Sequence, residues 1–237
     1  MIYPSESKLL PWVDGEILSA IEADESWMLS EVARCKDEPW YHLVNYVWTI
    51  RKDEFTVDGK PSVERFAAKE HLRYVLDCFY RYNRLVVDKS RQMTLSWVSM
   101  AYCMQKLQFG NHEEIICQTK KEEDVEALVE RCHFMLTSQR IWLRPRFDYR
   151  AGKGGRIVVY GQDGRKLNTI QGIPGGVGAG GQVRSKNPSL YFLDEGGFID
   201  EFAECRSNAE ACAQDIKIVS TANVGDFELF VNDKVSV

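Results

Sequence analysis

The chain of 237 residues predicts an α/β fold, with a mostly parallel central sheet flanked by helices and a small N-terminal helical subdomain. Three observations predict it. From residue 62 onward, short apolar runs alternate with segments of helical period, the pattern of strands joined by crossover helices. Three of those runs end in polar or charged clusters, at 89–96, 194–195 and 220–223, and in open parallel sheets the carboxyl ends of strands form the ligand crevice. Hydrophobic residues make up 44% of the chain, enough for one good core and an appendage.

Taken in order, residues 1–60 are acidic and hold two apolar patches, Trp27 with Met28 and Leu29, then Trp40, Tyr41, Leu43, Val44, Tyr46, Val47 and Trp48. The second patch has the spacing of a helix with one buried face. Asp58, Gly59, Lys60 and Pro61 punctuate the chain as a turn, which separates a helical subdomain at 1–60 from a core at 61–237. Phe66, Leu72, Val75, Leu76 and Phe79 give 62–82 a helical period; Leu85, Val86 and Val87 read as a buried strand. Leu95, Val98, Ala101, Tyr102 and Leu107 line one face of the next helix. Residues 114–118 (EIICQ) form a second strand, followed by a charged helix from 122 to about 136. Residues 156–160 (RIVVY) and 166–170 (KLNTI) make a hairpin turning at Gln162, Asp163 and Gly164. The stretch 172–181 (GIPGGVGAGG) has too little side chain to pack and is expected as a mobile loop. Another strand, 189–193 (SLYFL), runs into Asp194 and Glu195. A helix-like run at 199–212 precedes the last strand, 216–219, which ends in Ser220, Thr221, Ala222 and Asn223.

No run of 18 apolar residues occurs, and the N-terminus lacks the basic-then-apolar plan of a secretion signal. Seven cysteines without a C-x-x-C pair and four histidines without metal spacing fit free thiols in a soluble, intracellular protein. The net charge of −5 hides an asymmetry. Residues 139–186 carry Arg140, Arg144, Arg146, Arg150, Lys153, Arg156, Arg165, Lys166, Arg184 and Lys186 against Asp148 and Asp163, a block of +8 in a chain whose remainder is −13. Such a block is either a polyanion site or a solvated loop region.

The chemistry centres on 84–97, RLVVDKSRQMTLSW, where an apolar run stops at a basic loop and a helix pattern begins. It reads as an altered phosphate-binding loop. In the usual form, G-x-x-x-x-G-K-[ST], backbone N–H groups cradle phosphates, the Lys neutralises them and the hydroxyl residue holds Mg²⁺. Laid on that frame, the segment Lys89, Ser90, Arg91, Gln92, Met93, Thr94, Leu95, Ser96 puts Thr94 on the second Gly, Leu95 on the Lys and Ser96 on the hydroxyl position. Lys89 at the front of the loop is then its remaining Lys, with Arg91 a second cation. A strand ending in Asp194 and Glu195 supplies what ATP hydrolysis needs, Asp194 for Mg²⁺ and Glu195 for the attacking water. Each motif alone is matched by a bland alternative, a surface turn or a helix cap; their joint occurrence in this chain order points to a P-loop NTPase.

KSRQMTLSW resembles the altered phosphate loop of the large terminase subunits of tailed bacteriophages, the ATPase motors that drive DNA into a preformed shell. YFLDE resembles their Walker B strand with its catalytic Glu, and VSTAN their third, coupling motif; the resemblance spans roughly 66–223. It implies that Lys89 and Arg91 contact phosphates, that Ser96 and Asp194 hold the metal, and that Glu195 activates water. It also implies that Ser220, Thr221 and Asn223 sense the γ-phosphate, and that Arg184, ten residues before Asp194, is offered to a neighbouring subunit's ATP as a finger. Implied with it are double-stranded DNA, a portal protein and a small terminase subunit as partners. The expected assembly is a homo-oligomeric ring in the host bacterial cytoplasm, transiently docked on the procapsid. The family's nuclease domain is not expected in a chain that stops about a dozen residues after STAN. A helicase or other DNA-dependent P-loop motor, and a nucleic-acid-binding scaffold without turnover, are the competing expectations.

Overall fold

A computed structural model describes residues 15–55, 61–90, 94–175, 179–199, 201–221, 227, 228 and 231. Contacts divide the chain into two compact units, Met1–Ala68 with Ser138–Arg144, and Lys69–Thr137 with Pro145–Val237.

The first unit contains helices α1 (Gly15–Ala23), α2 (Glu25–Asp37) and α3 (Pro39–Tyr46), then a hairpin of β1 (Trp48–Phe55) and β2 (Pro61–Arg65). Asp24 starts α2 by accepting the Ser26 and Trp27 backbone N–H groups at 2.8 and 3.3 Å, and Pro39 starts α3, where its missing N–H has no intrahelical partner to lose. The two apolar patches part company. Tyr41, Leu43, Val44, Tyr46 and Val47 are buried, but so are His42 and Asn45, so α3 is covered all round and not on one face, whereas Trp27 and Leu29 are exposed. The Tyr41 and Tyr46 hydroxyls both donate to one oxygen of the buried Glu31 carboxylate, Oε1, at 2.5 and 2.6 Å, so that oxygen enters the core with two partners. The helical period expected from 62 begins only at 70: Pro61–Arg65 pairs antiparallel with β1, and tertiary pairing overrides the local pattern.

The second unit runs α4 (Glu70–Arg81), β3 (Arg84–Lys89), α5 (Leu95–Phe109), β4 (Glu114–Thr119) and α6 (Glu122–Thr137). It continues through β5 (Phe147–Arg150), β6 (Arg156–Tyr160), β7 (Lys166–Pro174), α7 (Ala179–Arg184), β8 (Leu190–Asp194), a 3₁₀ turn at Gly196–Phe198, α8 (Phe202–Cys212) and β9 (Asp215–Thr221). The sheet order is β3-β9-β8-β4-β7-β6-β5. The first five strands are mutually parallel; β6 and β5 extend the sheet as an antiparallel wing beyond β7. This is the α/β, mostly parallel sheet that the alternation predicts.

Three local expectations change. Leu85, Val86 and Val87 are half-buried, because among the described residues β3 pairs on one side only and forms an edge. Ser220 and Thr221 belong to the strand itself, so the polar cluster begins inside β9. Residues 172–174 are no loop: they finish β7, where Gly172 is buried against Gly154, and 179–184 is the helix α7. A Cβ on Gly172 would lie 2.1 Å from the Gly154 carbonyl oxygen, so the glycine permits close backbone packing here and not mobility. Asn168 ties β7 to the helix layer: its amide donates to the carbonyls of Leu107 and Gly110 at the end of α5, both at 2.9 Å, while its oxygen accepts the Glu113 N–H. Among the described residues no helix is long and apolar enough to cross a membrane, and all seven cysteines are free.

Candidate active site

The parallel pairing sets the site. Lys89 lies opposite Thr221, and Val219 opposite Asp194, so the carboxyl ends of β3, β9 and β8 stand side by side. With strands about 4.8 Å apart, β3 and β8 are about 10 Å apart, a gap that a lysine side chain and a carboxylate can close together. They do: Lys89 Nζ lies 3.5 Å from Asp194 Oδ1 and 3.2 Å from Glu195 Oε1, with the lysine side chain only 10% exposed.

Asp194 is held on every side. Its Oδ2 accepts the Ser96 hydroxyl at 2.9 Å, and its Oδ1 accepts the Glu195 backbone N–H at 3.1 Å. Glu195 is more open, with 40% of its side chain exposed, and its Oε2 accepts the Thr221 hydroxyl at 3.2 Å. One cation, two carboxylates and two hydroxyls from three strands and one helix start therefore converge. Ser220 plays a different part: it is fully buried, accepts the Gly197 N–H at 2.9 Å and donates to the Thr221 carbonyl at 2.9 Å, which ties β9 to the turn after Glu195.

Two residues here adopt the left-handed conformation that glycine prefers. Thr94, the residue on the second Gly of the phosphate-loop frame, has φ 60° and ψ 14°, and Glu195 has φ 55° and ψ 42°. The loop thus retains the glycine-type turn at a β-branched residue, a strained choice outside functional sites. Leu95, on the usual Lys position of the phosphate-loop frame, is 3% exposed and packs inward, so no side chain at that position reaches the site. Ser90 is exposed at the end of β3; Arg91, Gln92, Met93 and Asn223 lie outside the described residues. Arg184 ends α7 and is exposed. Cys212 Sγ, at the end of α8, donates to the Val183 carbonyl at 3.8 Å, so the end of α7 that carries Arg184 lies beside the end of α8, toward the amino ends of β8 and β9 and away from its own chain's Asp194.

No family model and no curated protein matches this sequence. Solved structures do. The large terminase ATPase domain of Thermus phage P74-26 matches with a TM-score of 0.51 at 13% identity, over 66% of this chain and 67% of that one. The chain has the fold of a large terminase ATPase domain. The HK97 bacteriophage large terminase matches with a TM-score of 0.59 at 10% identity, over 85% of this chain and 41% of that one. The large terminase of the thermophilic bacteriophage D6E, solved in complex with ADP, gives 0.54 at 17% identity, over 70% of this chain and 42% of that one. The chain therefore spans about two fifths of those two terminases.

Within this large-terminase fold, two features escape sequence reading. Thr94's backbone conformation has no sequence signature, because Thr is a poor left-handed residue. Arg131, on α6, lies with its Cζ 5.8 Å from the Trp97 ring centroid, next to Ser96 in sequence. Burial lowers its pKa, and attraction to Asp194, then to Asp124 and Glu130, opposes that. On a helix rich in charge, nothing in the sequence separates Arg131 from its solvated neighbours.

Proposed function

We propose that this chain is the ATP-hydrolysing motor domain of a phage DNA-packaging terminase. The carrying observation is the convergence of Lys89, Ser96, Asp194, Glu195 and Thr221 at the ends of adjacent strands, in a large-terminase fold. Triphosphate oxygens entering the loop offer Lys89 a stronger partner than its two carboxylates, so the lysine moves its charge to the phosphates, with Arg91 as a second cation. Ser96 and Asp194 present adjacent hard oxygen donors, the small protein set that Mg²⁺ takes when phosphates complete its shell. Bound there, Mg²⁺ would neutralise charge on the β- and γ-oxygens. Glu195, released by Lys89 and steadied by Thr221, accepts a proton from the attacking water. Thr221, with Ser220 behind it and Asn223 beyond, transmits the state of Glu195 to β9. Arg184, remote from its own Asp194, acts on a neighbour's nucleotide in a homo-oligomeric ring.

The antiparallel wing supplies the DNA grip. Arg146, Arg150, Lys153, Arg156, Arg165 and Lys166 are all exposed on or beside β5, β6 and β7, with Arg150 directly opposite Arg156. Cations on a backbone-rich surface suit double-stranded DNA held through its phosphates without sequence readout. Packaging also calls for a portal protein and a small terminase subunit, met on the procapsid in the host cytoplasm.

Single-turnover ATP hydrolysis by the full chain and by Glu195→Ala tests the reading. The variant should be slower by roughly 10²–10⁴-fold, the usual worth of a general base; equal rates would rule out the mechanism. Stimulation by portal-bearing shells favours packaging, whereas unwinding of duplex DNA favours a helicase.

A further inference from the structure

Arg131 stands outside the scheme above, and its surroundings assign it a part. It sits more than two turns into α6, a helix that starts directly past the carboxyl end of β4, and side chains on a helix lean toward its N-terminus. Its guanidinium accordingly points back toward the end of the sheet where Asp194 lies. Its Cζ lies over the Trp97 ring, 5.8 Å from the centroid, and Trp97 is fixed in turn by an edge contact with Phe134, 6.4 Å between centroids. None of the ion pairs or side-chain hydrogen bonds among the described residues includes Arg131. A half-buried planar cation that lies over an indole and meets no protein acceptor among the described residues is poised for an oxyanion that two parallel hydrogen bonds can grip.

The position narrows the choice of anion. Trp97 follows Ser96, whose hydroxyl meets Asp194, and Asp194 is the largest charge drawing on Arg131. An anion that brings its own counter-cation to Ser96 and Asp194 weakens that pull and presents oxygens instead. A metal-bound triphosphate does both.

We infer that Arg131 is a phosphate contact of this site, supplied in cis from α6 over Trp97, which distinguishes a nucleoside triphosphate from a diphosphate. The inference rests on the ATPase reading and adds a residue to it. Trp97 acts as a positioning residue, holding the guanidinium plane so that its fork faces the crevice.

Equilibrium binding of a non-hydrolysable ATP analogue and of ADP, each with Mg²⁺, is measured on the full chain as wild type, Lys89→Ala, Arg131→Met, Arg131→Lys and Trp97→Phe. Arg131→Met should weaken the triphosphate analogue by about tenfold or more, the worth of a charge-assisted hydrogen bond, and leave ADP within about twofold. Arg131→Lys restores part of that loss, because it returns the charge without the fork. Trp97→Phe keeps an aromatic platform and should fall between wild type and Arg131→Met. If both nucleotides weaken equally, or neither changes, while Lys89→Ala still abolishes binding, Arg131 is a packing residue and this inference alone falls. Should Arg131→Met fail to fold, the Lys variant decides: wild-type discrimination between the two nucleotides in Arg131→Lys overturns it. A wild-type chain that binds neither nucleotide overturns the ATPase reading itself.

Discussion

At the scale of single residues, Lys89 and Thr94 carry the departures of segment 89–96 from the usual phosphate-loop frame. Lys89 reaches both carboxylates of the site, and Leu95, on the usual Lys position, is turned inward. Lys89→Ala should therefore reduce ATP hydrolysis by roughly a hundredfold or more, as for loss of a preorganised transition-state donor, with the circular dichroism spectrum unchanged. Full activity in that variant would move the loop's charge to another residue. Thr94 holds a left-handed backbone that costs an L-residue roughly 1–2 kcal/mol, against roughly 0.5–1 kcal/mol for the greater unfolded-state freedom of a glycine. Thr94→Gly should leave the melting temperature at or above the wild-type value and preserve nucleotide binding; a clear drop would show that the threonine side chain contributes more than its strain costs. The sequence made both positions visible as deviations from a frame. It could not show that Thr94 keeps the glycine conformation, because that is settled by the strand and helix the loop joins.

At the scale of elements, the glycine-rich stretch shows one composition used in two ways. Gly172 lies in β7 with the Gly154 backbone and Val125 pressed against it, whereas a Cβ on Gly181, in α7, would meet nothing within 4 Å. Gly172→Ala should destabilise by about 1–3 kcal/mol through overpacking, and Gly181→Ala should stabilise by about 0.5–1 kcal/mol through helix propensity. Chemical denaturation of the two variants measures both signs; a neutral Gly172→Ala would mean the β7 packing can relax. Lys217 makes a similar point on β9. It lies within the strand expected at 216–219 and is fully buried. There it pairs with Asp215 and donates to the Tyr82 carbonyl; Asp215 also accepts the Tyr102 hydroxyl at 2.5 Å. Burial lowers the Lys217 pKa, and the Asp215 hydrogen bond and charge oppose that. A buried charge is tolerable only with such partners, which lie up to 135 positions away and leave no trace in local pattern.

At the scale of the whole molecule, the +8 block belongs to both units. Arg140 lies with the first, where it pairs with Glu22 at 3.7 Å, and the wing of β5 to β7 holds six exposed cations of the second. If that wing takes four DNA phosphates, binding should fall with a log–log salt slope of about −3.6, a loss of roughly a hundredfold for a fourfold rise in salt. Titrations of labelled duplex DNA across salt check this, and an affinity insensitive to salt would remove the wing from DNA binding.

The sequence by itself determined the succession α4, β3, α5, β4, α6, then β6, β7, β8, α8 and β9, though neither β5 nor α7, together with the hairpin at 156–170 and the chain order of basic loop, acidic pair and polar cluster. All of these follow from local periodicity, turn residues and short motifs, which are written in neighbouring positions. Only the tertiary structure decided that β9 lies between β3 and β8, that Lys89 spans the gap to Asp194 and Glu195, that Thr221 and not Ser220 faces Glu195, and that Arg131 leans toward the same end of the sheet. Strand order and side-chain reach depend on pairings between residues that range from 26 to more than a hundred positions apart, and one-dimensional spacing carries no measure of that distance.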